Sequence, residues 1–193
     1  MNNMQKQVKY ALMFKKNGTI LELGSGTGDF LKICSTLGLK ASGVDKHPRS
    51  DSEIGIIKED IFAYLAKQKI AKYDGVYARH ILEHLNKSKL IKLLKNINKV
   101  LKKGGLFIAI LPNIKNIGVA TKEFWKDKTH VRPYTSEDLK DIIKLAGLRF
   151  VESNNDKDSW DNSLLKILLR KTRALISGLK NEPPDYFLIA QKK

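Results

Sequence analysis

From Gly18 onward, short apolar runs alternate with segments whose apolar residues recur every three or four positions. The short runs, at 19–23, 40–44, 55–58, 73–78, 106–112, 148–152 and 186–190, read as strands. Between them, 29–37, 62–69, 88–102 and 137–146 carry helical spacing. In 88–102 the stripe Leu90, Leu94, Ile97 and Leu101 marks the buried face, and Gly104-Gly105 is the expected stop. Thr135 and Asp138 stand at capping-box spacing before the helix 137–146, and Gly147 follows its end. Strand–helix alternation of this kind builds a parallel sheet covered by helices on both faces, an α/β three-layer sandwich. After Pro112 the periodicity lapses into a loop of about twenty residues, long enough to be a lid or a recognition loop. A basic amphipathic helix is expected at 163–178, suited to core packing, to a lid, or to peripheral contact with an anionic membrane.

With 193 residues, a single domain over 1–193 is expected, its half at 18–112 carrying a cofactor and its half at 113–193 facing an acceptor. No apolar run approaches the ~18 residues of a membrane span, and residues 1–10 are polar where a signal peptide is apolar, so a cytoplasmic protein is expected. The single cysteine, Cys34, excludes an internal disulfide and reads as helix packing. A formal charge of +16, from 36 basic and 20 acidic residues, favours an anionic partner. Stretches such as NKSKLIKLLKNINKVLKKGG read equally as the solvated faces of amphipathic helices, so charge does not name a substrate.

The strongest chemical signal is ILELGSGTGDF, in which a strand runs directly into Gly24, Gly26 and Gly28 and then into a helix. Glycines let the backbone approach a ligand closely, and the helix behind them offers free amides. A dinucleotide fingerprint would require glycine where this chain has Asp29. The stretch resembles the first motif of class I S-adenosylmethionine-dependent methyltransferases, E-x-G-x-G-x-G, through Glu22, Gly24, Gly26 and Gly28. The resemblance spans roughly residues 18 to 152 and implies a Rossmann-like fold with a mostly parallel seven-stranded sheet and an antiparallel C-terminal strand. It also implies S-adenosylmethionine as cofactor. Asp45, ending the second strand, would hold the ribose hydroxyls, with Lys46 beside it and Ser25 in the glycine loop. Asp60 and Ile61 would read the adenine, and backbone near Ala78 and Arg79 would flank the methionine part.

Methyl transfer is an in-line displacement, so the protein's work is positioning, plus deprotonation of a hydroxyl or amine acceptor. His80, His84 and His130 are the candidate bases. His80, Glu83 and His84 share one face of a helical turn, a spacing that suits a divalent ion, a structural cap or acid–base work. The LEHL segment looks like that of ubiquinone-pathway-type O-methyltransferases, where E-x-x-E-H binds a metal; His80 replaces the first glutamate here, and no metal is assigned. Asp127, Thr129, His130, Arg132 and Pro133 resemble a D-x-T-H-x-R-P loop of methyltransferases associated with cell-surface polysaccharide synthesis. Either His130 serves as base and Arg132 binds an acceptor anion, or these residues pin the loop by hydrogen bonds. Trp125 and Tyr134 are further candidates for acceptor contact, against a packing role.

The expected activity is methylation of an oxygen, with nitrogen second, on a small-molecule or glycan acceptor. Nucleic-acid base methyltransferases typically carry N-P-P-[YF] or D-P-P-[YF] after the fourth strand, where this chain has ARHIL. RNA or protein substrates and a non-catalytic partner subunit are the competing readings.

Overall fold

A computed structural model describes residues 3–49, 55–160 and 182–193. The described chain runs α1 (Asn3–Ala11), β1 (Thr19–Leu23), α2 (Asp29–Thr36), β2 (Lys40–Asp45), β3 (Ile56–Lys58), α3 (Ile61–Lys67) and β4 (Tyr73–Arg79). It continues through α4 (Lys87–Val100), β5 (Leu101–Pro112), α5 (Phe124–Lys126), α6 (Ser136–Leu145), β6 (Leu148–Asn155) and β7 (Asp185–Lys192). The seven strands form one sheet in the order β3-β2-β1-β4-β5-β7-β6. β7 runs antiparallel to both of its neighbours, while the β1–β5 pairings are parallel. The doubly wound α/β architecture expected from strand–helix alternation is therefore the architecture observed.

Two apolar layers sandwich the sheet, and β5 shows how alternate residues feed them. Phe107, Ala109 and Leu111 point into the layer closed by α3, α4 and α6, whereas Ile108 and Ile110 point into the layer closed by α1 and α2. This two-sided burial explains why the central strands β1, β4 and β5 read as nearly continuous apolar runs rather than as polar–apolar alternation. Strand order reverses between β1 and β4, which places a crevice outside their carboxyl ends.

Three features depart from the sequence expectations. Helix α4 stops at Val100, and Leu101 starts β5 by pairing with Tyr73; Gly104 and Gly105 lie inside β5, where the register with β4 shifts between Tyr73 and Gly75. Helix α1 had no counterpart in the pattern, yet Tyr10 and Ala11 of α1 and Phe14 just beyond it are buried in the second layer. The long loop after Pro112 is partly helical, with a π-helical turn at Val119–Glu123 running into α5. The helix expected at 163–178 lies outside the described residues. Thr135 and Asp138 do form the reciprocal capping box at the start of α6. Among the described residues no helix is long and apolar enough to cross a membrane.

Candidate active site

At the carboxyl end of β1 the chain makes a tight turn through Gly24 and Gly28, both with positive φ. A Cβ added at Gly24 would come within 2.2 Å of Ile81 Cδ1, so only glycine fits where this turn meets the segment after β4. Gly28 caps α2 in the left-handed region, and Asp29 and Phe30 of the first turn face the same cavity. That cavity, about 540 Å³, lies over the switch between β1 and β4 and has the size of an ordinary small-molecule site.

Glu22 lines the cavity and is 5% exposed, with its Oε2 buried and unpartnered. Burial, reinforced by Asp29 and Asp45, holds its carboxyl well above the usual carboxylate range, with Arg79 opposing. A buried acceptor without a donor is costly unless a ligand supplies one. Asp45 also faces the cavity; its Oδ2 accepts from the Gly26 amide at 2.8 Å and its Oδ1 from the His47 amide at 2.7 Å. Those amides hold the carboxylate at the rim, and its remaining lone pairs can accept from a diol. Among the other residues assigned from sequence, Gly24, Ser25, Gly26 and Arg79 line the cavity. Lys46 is exposed, Ala78 is fully buried between β1 and β5, and Ile61 packs on the core. Asp60 is occupied as the N-cap of α3, accepting from the Phe62 and Ala63 amides, and none of these four lines the cavity. Gln7 and Arg49 line it without having been singled out, brought there by tertiary contact, and Asp127 of the D-x-T-H-x-R-P stretch lines it too.

The end of β4 delivers Arg79 and, one residue on, His80 to the same cavity. His80 sits at φ +53, a left-handed conformation that a non-glycine residue holds only when its surroundings impose it. The constraint is visible: its amide donates to the Ile110 carbonyl, its Nδ1 is 3.1 Å from Glu83 Oε1, and its Nε2 is 3.7 Å from Asp185 Oδ2. Burial acts to lower the imidazole pKa, but Glu83 and Asp185 outweigh it, and the net displacement is upward. A smaller recess of about 100 Å³ shares Gln7 and Arg79 with the main cavity and is bordered by Tyr10, Tyr77, Asp156 and Asp185. The cavity and the recess thus adjoin at Gln7 and Arg79, with Asp185 of the recess beside His80.

The loop carrying His130 is stitched to the 3-10 turn Leu82–His84. The Val131 and Arg132 amides donate to the Glu83 carbonyl, and Tyr134 Oη donates to the Leu85 carbonyl at 2.8 Å. His84 lines the cavity; His130 sits behind it, its ring 4.7 Å from that of His84. Arg132 lies over the Tyr134 ring, and neither borders this cavity. Tyr134 instead borders a separate polar recess with Asn113, Thr135 and Tyr186. Trp125 is largely exposed and donates its indole N–H to the Ala120 carbonyl, while Phe124 is the member of that pair that packs inside. Cys34 is buried in α2, and burial pushes its thiol up to about 12, as expected of a packing residue.

The family described as methyltransferase domain matches residues 2–153 of the chain. No curated protein matches the sequence. Among solved structures, a SAM-dependent methyltransferase from Archaeoglobus fulgidus superposes with a TM-score of 0.78 at 24% identity, over 98% of this chain and 92% of that one. A putative Haloferax volcanii methyltransferase complex with the Trm112 methyltransferase activator gives 0.72 at 16% identity, over 97% and 89%. The Burkholderia thailandensis 1,6-didemethyltoxoflavin-N1-methyltransferase, solved with bound 1,6-didemethyltoxoflavin and S-adenosylhomocysteine, gives 0.66 at 12% identity, over 99% and 80%. Similarities this low in identity establish the shared fold.

Proposed function

The chain belongs to the methyltransferase domain family, and on that premise we propose that it transfers a methyl group from S-adenosylmethionine to an oxygen of a small polar acceptor. The observation that carries this reading is one cavity bordered both by a donor cradle, made of the glycine turn, Glu22 and Asp45, and by His80. The cradle suits the donor group by group. The unpartnered Glu22 Oε2 suits the ammonium of the methionine part, Asp45 suits the ribose diol, and the close backbone turn at Gly24 leaves room for the chain of the ligand. When bound, S-adenosylmethionine supplies a methyl carbon on a positively charged sulfur.

The chain's residues do the rest by placement. Arg79 borders both the cavity and the recess and His80 follows it, so an acceptor hydroxyl entering beside Tyr77 and Asp185 meets the His80 imidazole. Glu83 accepts from Nδ1, which fixes the ring and leaves Nε2 to take the acceptor proton as the oxygen attacks. Glu83 is a positioning residue in this scheme. Asp185 beside Nε2 stabilises the imidazolium that forms. The recess is small and polar, which suits the reacting end of a hydroxylated molecule, a sugar included, better than an apolar ring. The cytoplasmic setting expected from the sequence, and the division of the chain into a donor half at 18–112 and an acceptor half at 113–193, belong to the same proposal.

The test is calorimetric titration with S-adenosylmethionine and separately with NAD, followed by labelled-methyl transfer to a panel of hydroxylated and amine acceptors. Selective donor binding with label on hydroxyl acceptors is the expected result; absence of donor binding would remove the assignment of the cradle.

A further inference from the structure

Beside the cavity, Glu83, His84 and His130 each bring a ligand atom to within 4.8 Å of those of the other two. The hydrogen bonds around them determine which atoms are free to bind. His130 Nδ1 lies 2.6 Å from the Phe124 carbonyl, which can only accept, so Nδ1 carries the proton and Nε2 keeps its lone pair. Thr129 has one hydroxyl hydrogen and gives it to Asp127 Oδ1 at 2.6 Å. Its oxygen, 2.9 Å from His84 Nδ1, therefore accepts, and His84 too is left with a bare Nε2. Glu83 is 1% exposed; its Oε1 serves His80, and its Oε2 is buried with no hydrogen-bond partner. Two imidazoles oriented through their Nδ1–H groups, next to an orphaned carboxylate oxygen, have the supporting hydrogen bonds of a ligand set already in place.

We propose that Glu83 Oε2, His84 Nε2 and His130 Nε2 bind a divalent transition-metal ion of the zinc, cobalt or iron(II) class. Two nitrogens and one oxygen select such ions over magnesium or calcium, which prefer oxygen ligands throughout. Asp127 Oδ2, 4.0 Å from His130 Nε2, is placed to approach as a fourth ligand. His84 and Asp127 both border the cavity, so an ion held here faces the space an acceptor would occupy. Binding of the ion needs nothing from the methyl-transfer reading; only its use in orienting an acceptor oxygen rests on that reading.

The experiment is titration of untagged, metal-free protein with cobalt(II), followed by visible absorption, without S-adenosylmethionine. A ligand-field band that saturates at one equivalent is expected. His84→Ala and His130→Ala should each weaken binding at least roughly tenfold, and Thr129→Ala, which frees the His84 ring, about tenfold. His47→Ala, at a histidine that belongs neither to the group nor to its hydrogen bonds, should leave the band unchanged. Thermal melts of each variant show whether the fold is retained, and the two histidine variants avoid truncating buried Glu83. Zinc should displace cobalt, whereas millimolar magnesium should not. No saturable band, or one unaffected by the His84 and His130 changes, overturns the site; displacement by magnesium overturns the ion class. A retained cobalt band in a protein that fails to bind S-adenosylmethionine would count against the methyl-transfer reading alone.

Discussion

Asp45 and His80 both border the cavity but carry different proposed roles, and their substitutions should separate binding from chemistry. Asp45→Asn keeps the shape but removes the charge that strengthens hydrogen bonds to a diol. About 1–3 kcal/mol of donor affinity should be lost, a rise in Kd of roughly ten- to a hundredfold by calorimetry. Unchanged affinity would leave Asp45 as a brace for the Gly26 and His47 amides and nothing more. His80 presents a different case because its backbone is strained. Asparagine tolerates positive φ better than most residues, so His80→Asn should keep the thermal midpoint within a few degrees. It should leave the donor Kd unaltered while lowering the transfer rate about a hundredfold or more, the range of a lost general base. A normal rate in that variant would remove His80 as the base. The Glu22 carboxylate, the glycine turn and Asp45 were all legible in the sequence, since one strand–turn–helix motif and the end of the next strand carry them. The pairing of His80 with Glu83 and Asp185 was only half legible. Three residues of separation announce Glu83, but Asp185 comes from β7, more than a hundred residues away, and only the folded sheet brings it to Nε2.

Among the elements, the central strands β1, β4 and β5 were the most readable because burial on both faces makes them largely apolar, and α1 was the least. Lys6, Gln7 and Lys9 interrupt α1, and Tyr10 with Phe14 becomes a core contact only once Phe30, Tyr77 and Ile110 exist as a surface to cover. Gly104 and Gly105 misled for a related reason. They look like a helix stop, but Leu101 gains more by pairing with Tyr73 at the start of β5 than by adding a last residue to α4. Two local devices then hold the elements in register. Asp74 Oδ2, in β4, accepts from the Thr19 amide of β1 at 2.9 Å and from Lys102 Nζ of β5 at 2.8 Å. Burial alone would raise its carboxyl, but Lys102 and the Thr19 amide hold it below the ordinary carboxylate value. A depressed pKa contributes stability that is present above the unfolded value of about 3.9 and lost as pH falls through the folded one. Asp74→Asn should therefore lower the thermal midpoint near pH 7, and its deficit relative to the parent should shrink steadily below about pH 4. A deficit independent of pH would mean the contribution is not ionic. At the other end of the sheet, Thr135→Ala removes half of the capping box of α6 and should cost about 1 kcal/mol. For a domain of this size that appears as a fall of roughly 2–4 °C in the melting midpoint.

At the scale of the whole molecule, the charge of +16 and the composition of the cavity point in opposite directions. The exposed lysines of α4, Lys87, Lys89, Lys92, Lys95 and Lys99, lie on the solvent side of a helix whose other side is core. The cavity and its recess are bordered instead by Glu22, Asp29, Asp45, Asp127, Asp156 and Asp185, against Lys6, Arg49 and Arg79. An acidic interior suits a sulfonium donor and a neutral or cationic acceptor. A phosphate backbone threaded toward the same opening would meet those carboxylates at short range. The basic exterior should still attract polyanions without regard to sequence, with an affinity that falls steeply as salt rises through counterion release. The expected outcome with RNA is therefore salt-sensitive binding without methyl incorporation, at salt concentrations where a small hydroxylated acceptor is labelled. Label appearing in RNA, and persisting as added salt weakens the surface contact, would show that the acidic opening admits a nucleotide and would overturn the small-acceptor assignment in favour of a nucleic-acid substrate.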